Sequence, residues 1–215
     1  MEGGKQRSAF WERSWRAADM QRLADYAQRL DPAPDAIITC LKARSAVTVC
    51  DAGCGCGVYA RKLLANGFRV SGFDISPAAA ALARSLLAEH GCAADAFRAA
   101  DILRTPYPDA AFDAVVARDV IDHMPVAEGA EAVRELLRIT RPGGCLLLTL
   151  DGPDAEYEAE THTVNADGDY LFTDGRWCGM VFHPYTEAEI PTLTQAPFRI
   201  LDRAGCGFTL AVEKP

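Results

Sequence analysis

Apolar residues in this chain cluster into short runs, and between the runs they recur every three or four positions. A short continuous run suits a strand buried on both faces, and the wider period suits an amphipathic helix. The runs predict strands over residues 46–50, 69–74, 96–100, 112–117 and 145–150. The intervening segments predict helices over 35–42, 58–65, 77–90 and 127–140, with Asn66-Gly67, Gly91 and Pro142-Gly143-Gly144 as stop signals. Ser76-Pro77 is a start signal, a capping side chain followed by proline in the first turn. Strand and helix in alternation give an α/β fold with a doubly wound, mostly parallel sheet. The last two strands, 198–202 and 208–213, are joined by too short a link for a parallel crossover, so they pair antiparallel.

Two segments lie outside this alternation. Residues 9–30 predict an aromatic-rich helix carrying Phe10, Trp11, Trp15 and Tyr26, with Trp11 and Trp15 on one face. Such a face either packs on the domain or covers a ligand, since indole offers a flat apolar surface to an adenine or a cation. Residues 151–197 form a lid-like insertion. Turn signals at Asp167-Gly168-Asp169 and Thr173-Asp174-Gly175 flank aromatic runs at 170–172 and 177–182, and Thr186 to Glu189 reads as a capping box. The expected organisation is one domain over 1–215, with an N-terminal helical cap at 1–45 and the insertion at 151–197.

Composition narrows the class. Hydrophobic residues make up 49% and charged residues 24%, as in a globular enzyme. A net charge of -8 disfavours nucleic acid as a partner, and no apolar run is long enough for a membrane span. The first residues lack the apolar core of a signal peptide, which gives a cytoplasmic protein as the expectation. The acidic run at 151–160 reads as a solvated loop. Eight cysteines include no C-x-x-C pair, and those in strands read as small buried hydrophobes, so no metal site is expected. Oligomeric state leaves no signal.

The candidate chemistry gathers at Cys50-Asp51-Ala52-Gly53-Cys54-Gly55-Cys56-Gly57, where the first strand turns into a helix. Its glycine spacing is not that of the dinucleotide fingerprint, because the third glycine falls one position early. Asp51 is also a poor neighbour for a pyrophosphate. Asp74, ending the second strand, stands where a carboxylate reads ribose hydroxyls, and Asp101, ending the third, where one accepts from an adenine amine. Together the three suit a cationic, adenosine-containing ligand. With Ala100-Asp101-Ile102, the strand at 112–117 and Pro142-Gly143-Gly144, the set resembles the class I S-adenosylmethionine-dependent methyltransferases over residues 46–150. The resemblance implies a Rossmann-like, seven-stranded sheet with an antiparallel last strand and S-adenosylmethionine as cofactor. It also implies that Asp51, Gly53, Gly55 and Gly57 hold the methionine part, Asp74 and Ile75 the ribose end, and Asp101 and Ile102 the adenine. Arg118 would lie beside the methionine. More loosely, the stretch from Arg118 to Met124 is similar to the small-molecule branch, which carries an acid–histidine pair here.

The expected activity is methyl transfer to a small-molecule acceptor. A non-catalytic S-adenosylmethionine-binding protein with a partner-recruiting lid is the alternative, and a nicotinamide-dependent oxidoreductase would need the glycine spacing this chain lacks. His123, at the expected mouth of the site, is the first candidate base, and it equally suits a histidine that packs the next helix. His183, following the insertion, is the second. Trp177 and Tyr185, with Trp11 and Trp15, are candidate acceptor contacts, although aromatics in a small hairpin also build its own core. His90 and His162 read as surface residues.

Overall fold

The computed structural model describes residues 2–19, 23, 25, 33–93 and 95–214. A helix α1 (Glu2–Arg16) precedes the alternating part: α2 (Ala36–Ala43), β1 (Thr48–Ala52), α3 (Val58–Ala65), β2 (Arg69–Asp74), α4 (Pro77–Leu87) and β3 (Phe97–Ala99). These are followed by β4 (Phe112–Ala117), α5 (Val126–Ile139) and β5 (Thr140–Leu150). The insertion comprises α6 (Ala155–Glu158), β6 (His162–Val164), β7 (Tyr170–Phe172) and β8 (Val181–Phe182). The chain closes with α7 (Ile190–Thr194), β9 (Phe198–Ala204) and β10 (Gly207–Glu213).

Seven strands form one sheet in the order β3-β2-β1-β4-β5-β10-β9. The first five run parallel, and β10 is antiparallel to both β5 and β9. Strand alternation sends Val49, Ala114, Val116 and Leu147 to the face covered by α2, α3 and α4. Cys50, Val115, Leu146 and Leu148 go to the face covered by α5 and α7. The order reverses between β1 and β4, so the loops after these strands splay apart and open a crevice at their carboxyl ends. Local signals fix the helix starts: Asp35 accepts from the Ile38 amide at 2.9 Å, and Ser76 from the Ala79 amide at 3.1 Å.

Four sequence expectations change. Helix α1 starts at Glu2, seven residues before the expected start, although Gly3-Gly4 disfavours a helix. Tertiary anchors farther along α1, described below, override that local preference. Helix α1 ends at Arg16, so Ala17 to Asp19, expected as helix within 9–30, are not helical, and Tyr26 and Leu30 lie outside the described residues. Strand β5 starts at Thr140 rather than Cys145, and the Pro142-Gly143-Gly144 stretch lies inside it as a register shift against β4. Glycine is required at 144, where a Cβ would sit 2.5 Å from the Asp113 carbonyl oxygen. The expected run at 177–182 divides into a turn at Gly175–Trp177 and the two-residue β8, while His162–Val164 adds an edge strand, making a three-stranded antiparallel sheet. Finally, the acidic run is not a plain loop: Asp154 caps α6, which packs Tyr157 against Phe182 at 4.2 Å between ring centres.

Five cysteines (40, 50, 54, 56 and 145) are buried. No group of side chains among the described residues is arranged to hold a metal ion, and no described helix is long and apolar enough to cross a membrane.

Candidate functional site

The crevice is built on the glycine loop. Gly53, Gly55 and Gly57 all take left-handed backbone, at φ of 71°, 53° and 85°, which folds the loop back over the end of β1. The Gly53 and Cys54 amides both donate to the Phe73 carbonyl, at 2.8 and 2.9 Å. Asp74 completes the brace. One of its oxygens accepts from the Gly55 amide and the other from the Ser76 amide, each at 2.9 Å. Each carboxylate oxygen keeps a lone pair for a ligand hydroxyl.

Asp51 lies beneath this loop, 2% exposed, and its Oδ2 has no hydrogen-bond partner. Burial pushes its carboxyl up to about 7, against the pull of the Arg118 charge and with the push of Asp74. The Ala60 amide serves the carboxyl, and its unpartnered oxygen asks for a cation or a donor. Just beyond β3, Asp101 accepts from the Leu103 amide at 3.0 Å and from Arg7 at 3.2 Å. Arg7 also pairs with Glu128 of α5.

Arg7, Trp11 and Trp15 stand four residues apart on one face of α1 and form the roof of a cleft holding about 600 Å³ of empty space, part of it open to solvent. Gly53, Gly55, Asp74, Ile75 and Ile102 line its floor. Asp119, Val120, His123 and Met124 close its far end. The roof is pinned at several points. Glu12 accepts from Ser76 Oγ at 2.6 Å and from the Ala78 amide at 3.0 Å, meeting the unpaired amides that begin α4. Those bonds hold its carboxyl below the usual range, the Ser76 hydroxyl contributing most. The Trp15 indole rests against Gly55, where a Cβ would come within 2.8 Å of it.

At the far end, His123 lies in the short turn Ile121–His123 after β4, 8% exposed. Its ring meets Trp11, Phe182 and Tyr157 at 5.5, 5.6 and 6.0 Å between centres, and its Nδ1 is sealed without a partner. Burial lowers its pKa to about 4, partly offset by the charges of Asp119 and Asp151. The imidazole is therefore neutral at pH 7. Beside it, Asp122 is fully buried; Oδ2 accepts from the Asp151 amide at 3.1 Å, while Oδ1 has no partner. Asp119 has a left-handed backbone, φ 55°, unusual for a residue other than glycine. Thr149 holds it there: the Asp119 amide donates to Thr149 Oγ1 at 2.8 Å, and that hydroxyl donates to the Asp119 carboxylate at 2.7 Å.

The other expected site residues lie elsewhere. Gly57 caps α3, and a Cβ there would meet Ala83 at 3.1 Å, so it serves the contact between α3 and α4. Arg118 lies over the Tyr59 ring at 5.1 Å and lines an adjoining polar cleft that meets the first at Asp119. His183 is outside the cleft. Its Nδ1 contacts Asp169 and its Nε2 contacts Glu189, both at 3.0 Å, and Asp169 also accepts from the Val126 amide that begins α5. It clasps the insertion to α5. Trp177 packs with Tyr157 and Phe172 in the insertion's own cluster, and Tyr185 is buried under α5 and α7. His90 is exposed, whereas His162 stacks on Tyr170 at 4.3 Å. Arg7, Asp151 and Tyr157 were not among the expected site residues, and Asp119 and Asp122 entered only within the stretch expected to carry an acid–histidine pair; Arg7, one turn before Trp11, left a helical-period signal.

The features suit S-adenosylmethionine: a braced carboxylate for ribose hydroxyls, Ile75 and Ile102 for a flat base, and the orphaned Asp51 for the cationic end. Residues 49–144 match the methyltransferase domain family. A malonyl-[acyl-carrier protein] O-methyltransferase of Serratia marcescens is 35% identical over 99 residues, 46% of this chain and 36% of that protein. The chain spans less than half the length of the curated relatives it matches. Among solved structures, the PH0226 protein of Pyrococcus horikoshii OT3 superposes with a TM-score of 0.69 at 16% identity, covering 88% of this chain and 92% of that one. Magnesium protoporphyrin IX methyltransferase of Synechocystis PCC 6803 superposes at 0.59 with 21% identity, covering 84% and 81%. Both share the fold, and residues 49–144 are similar to a methyltransferase domain.

Proposed function

We propose that this protein transfers a methyl group from S-adenosylmethionine to a small-molecule acceptor. The observation that carries the reading is the continuity of one cleft. It runs from the carboxylate brace at Asp74 and Gly55 to the enclosed, neutral His123. When bound, the cofactor supplies an electrophilic methyl on a sulfonium, so no further activating group is needed. The work left to the chain is holding, orienting and drying.

In this reading Asp74 accepts from the ribose hydroxyls, while Ile75 and Ile102 flank the adenine. Gly53 and Gly55 allow close backbone approach, and Asp51 takes the methionine end, while Arg118 stays with Tyr59 in the adjoining cleft. Trp11 and Trp15, on α1, keep water from the reacting centre, and orientation of the acceptor is worth up to about 7–11 kcal/mol. His123 keeps a free lone pair above pH 4 or so and takes the proton an acceptor must shed, a contribution of roughly 10²–10⁴ in rate. The reading as a binding protein with a recruiting lid draws less support, because Phe172, Met180 and Phe182 of the insertion are turned inward onto Phe10 of α1.

The test is release of S-adenosylhomocysteine from labelled cofactor in the presence of a mixed pool of small-molecule acceptors. His123→Ala is expected to lower turnover about 10²–10⁴-fold while leaving cofactor affinity unchanged. Absence of any acceptor-dependent release contradicts the proposal, and undiminished release by the variant removes His123 from it.

A further inference from the structure

The geometry points to an amine as the acceptor: a small molecule enters as its ammonium at the far end of the cleft, beside Trp11 and His123, where Asp119 joins it to the adjoining cleft that Asp151 lines. The ammonium gives one proton to His123, and the freed nitrogen lone pair bonds the methyl carbon as that carbon's bond to the sulfonium sulfur breaks and S-adenosylhomocysteine leaves. This rests on the methyltransferase reading above.

Charge at this end is one-sided. The end of β4 brings Asp119, the following turn brings Asp122 and His123, the end of β5 brings Asp151, and α6 adds Asp154 and Glu156 around Tyr157. Two guanidinium groups are near, and both are engaged. Arg7 is tied to Asp101 and Glu128. Arg118 is 3.6 Å from Asp119 but lies over the Tyr59 ring on the side of the adjoining cleft. His123 adds no positive charge, because burial keeps it neutral.

Two buried polar groups here lack partners. Nδ1 of His123 has none although the residue lines the cleft, and Oδ1 of Asp122 has none either. Burial and the charges of Asp122 and Asp119 push the Asp151 carboxyl up to about 6. Asp122 and Asp151 thus sit together without a counter-ion, whereas the half-exposed Asp119 has Arg118 at 3.6 Å. Asp119 is also held in its left-handed backbone by two hydrogen bonds to Thr149, so its carboxylate is placed rather than free.

An acidic oxygen acceptor, a carboxylate or a phenolate, would meet this cluster as a like charge, with no free cation among the described residues at this end to receive it. An ammonium meets it as the missing counter-ion, and the half-buried Trp11 indole adds a π face. Curated relatives are named for O-methylation, so an amine would set this chain apart from them.

The test is calorimetric titration of the full chain, loaded with S-adenosylhomocysteine, using three probes of matched shape: benzylammonium, benzyl alcohol and benzoate. Benzylammonium is expected to bind about tenfold or more tighter than benzyl alcohol, with benzoate weakest. Asp119→Asn and Asp151→Asn should each reduce that preference about tenfold, whereas Glu187→Gln, which breaks only an exposed pair with Arg203, leaves it intact. Equal binding of the three, a preference for benzoate, or no binding of benzylammonium overturns the amine assignment. Failure of S-adenosylhomocysteine to load in the first titration instead overturns the methyltransferase reading.

Discussion

Replacing Asp74 by alanine is expected to weaken S-adenosylmethionine binding by at least about a hundredfold, measured as a calorimetric Kd. The carboxylate does two things at once. It accepts from the Gly55 and Ser76 amides, and its remaining lone pairs face the cleft. Removing it leaves two enclosed amides unpaired and releases the glycine loop, in addition to deleting the ribose contact. Hydrogen bonds to a charged group are worth about 1.5–3 kcal/mol each, and about 1.4 kcal/mol is tenfold in affinity, so two lost bonds already account for two decades. Asp74→Asn retains one accepting oxygen and should lose less. An Asp74→Ala variant with wild-type affinity would remove the brace from the account.

The second large effect concerns stability. Asp122→Asn is expected to stabilise the folded chain at pH 8 by about 1–4 kcal/mol and to change little at pH 4. Burial, with the charge of Asp119 adding, raises the Asp122 carboxyl from 3.8 to about 7, against hydrogen bonds from the Asp151 amide and its own turn. Between those two values the folded protein holds a proton that the unfolded chain has released. Stability therefore falls as pH rises through this window and stays low above it, once the buried carboxylate is charged. Asparagine keeps the acceptor for the Asp151 amide and never ionises. Asp51 and Asp151 carry raised values too, so the wild-type curve contains their slopes; the difference between wild type and variant isolates Asp122. Denaturant unfolding at pH 4 and pH 8 reads it directly, and an equal difference at both pH values contradicts the assignment.

The parts of the molecule legible in the sequence are those whose causes are local. The glycine loop announces itself because three left-handed residues within five positions demand glycine. Asp74 is legible because an open α/β sheet gathers its ligand contacts at the carboxyl ends of its strands. The antiparallel pair β9 and β10 follows from the length of its link. What escaped depends on distant partners. Arg7 meets Asp101 from 94 residues away, and that contact, with Glu12 on the start of α4, makes a helix of a stretch whose glycines argue for none. His183 had the look of a site residue because it follows the lid-like insertion's hairpin. Its carboxylate partners come from separate turns and make it a clasp instead. The acidic run hid Tyr157, since its charges describe the outer face of α6 and say nothing of the ring on the inner one. Pro142-Gly143-Gly144 disrupts structure locally, yet it remains within β5 because Gly143 and Gly144 pair with Lys214 beyond β10.

The account turns on which ligand the cleft accepts, and one titration series decides it. The full chain titrated with S-adenosylmethionine and, separately, with NAD is predicted to bind the first at micromolar concentration and the second not at all. Tight binding of NAD with none of S-adenosylmethionine would contradict it.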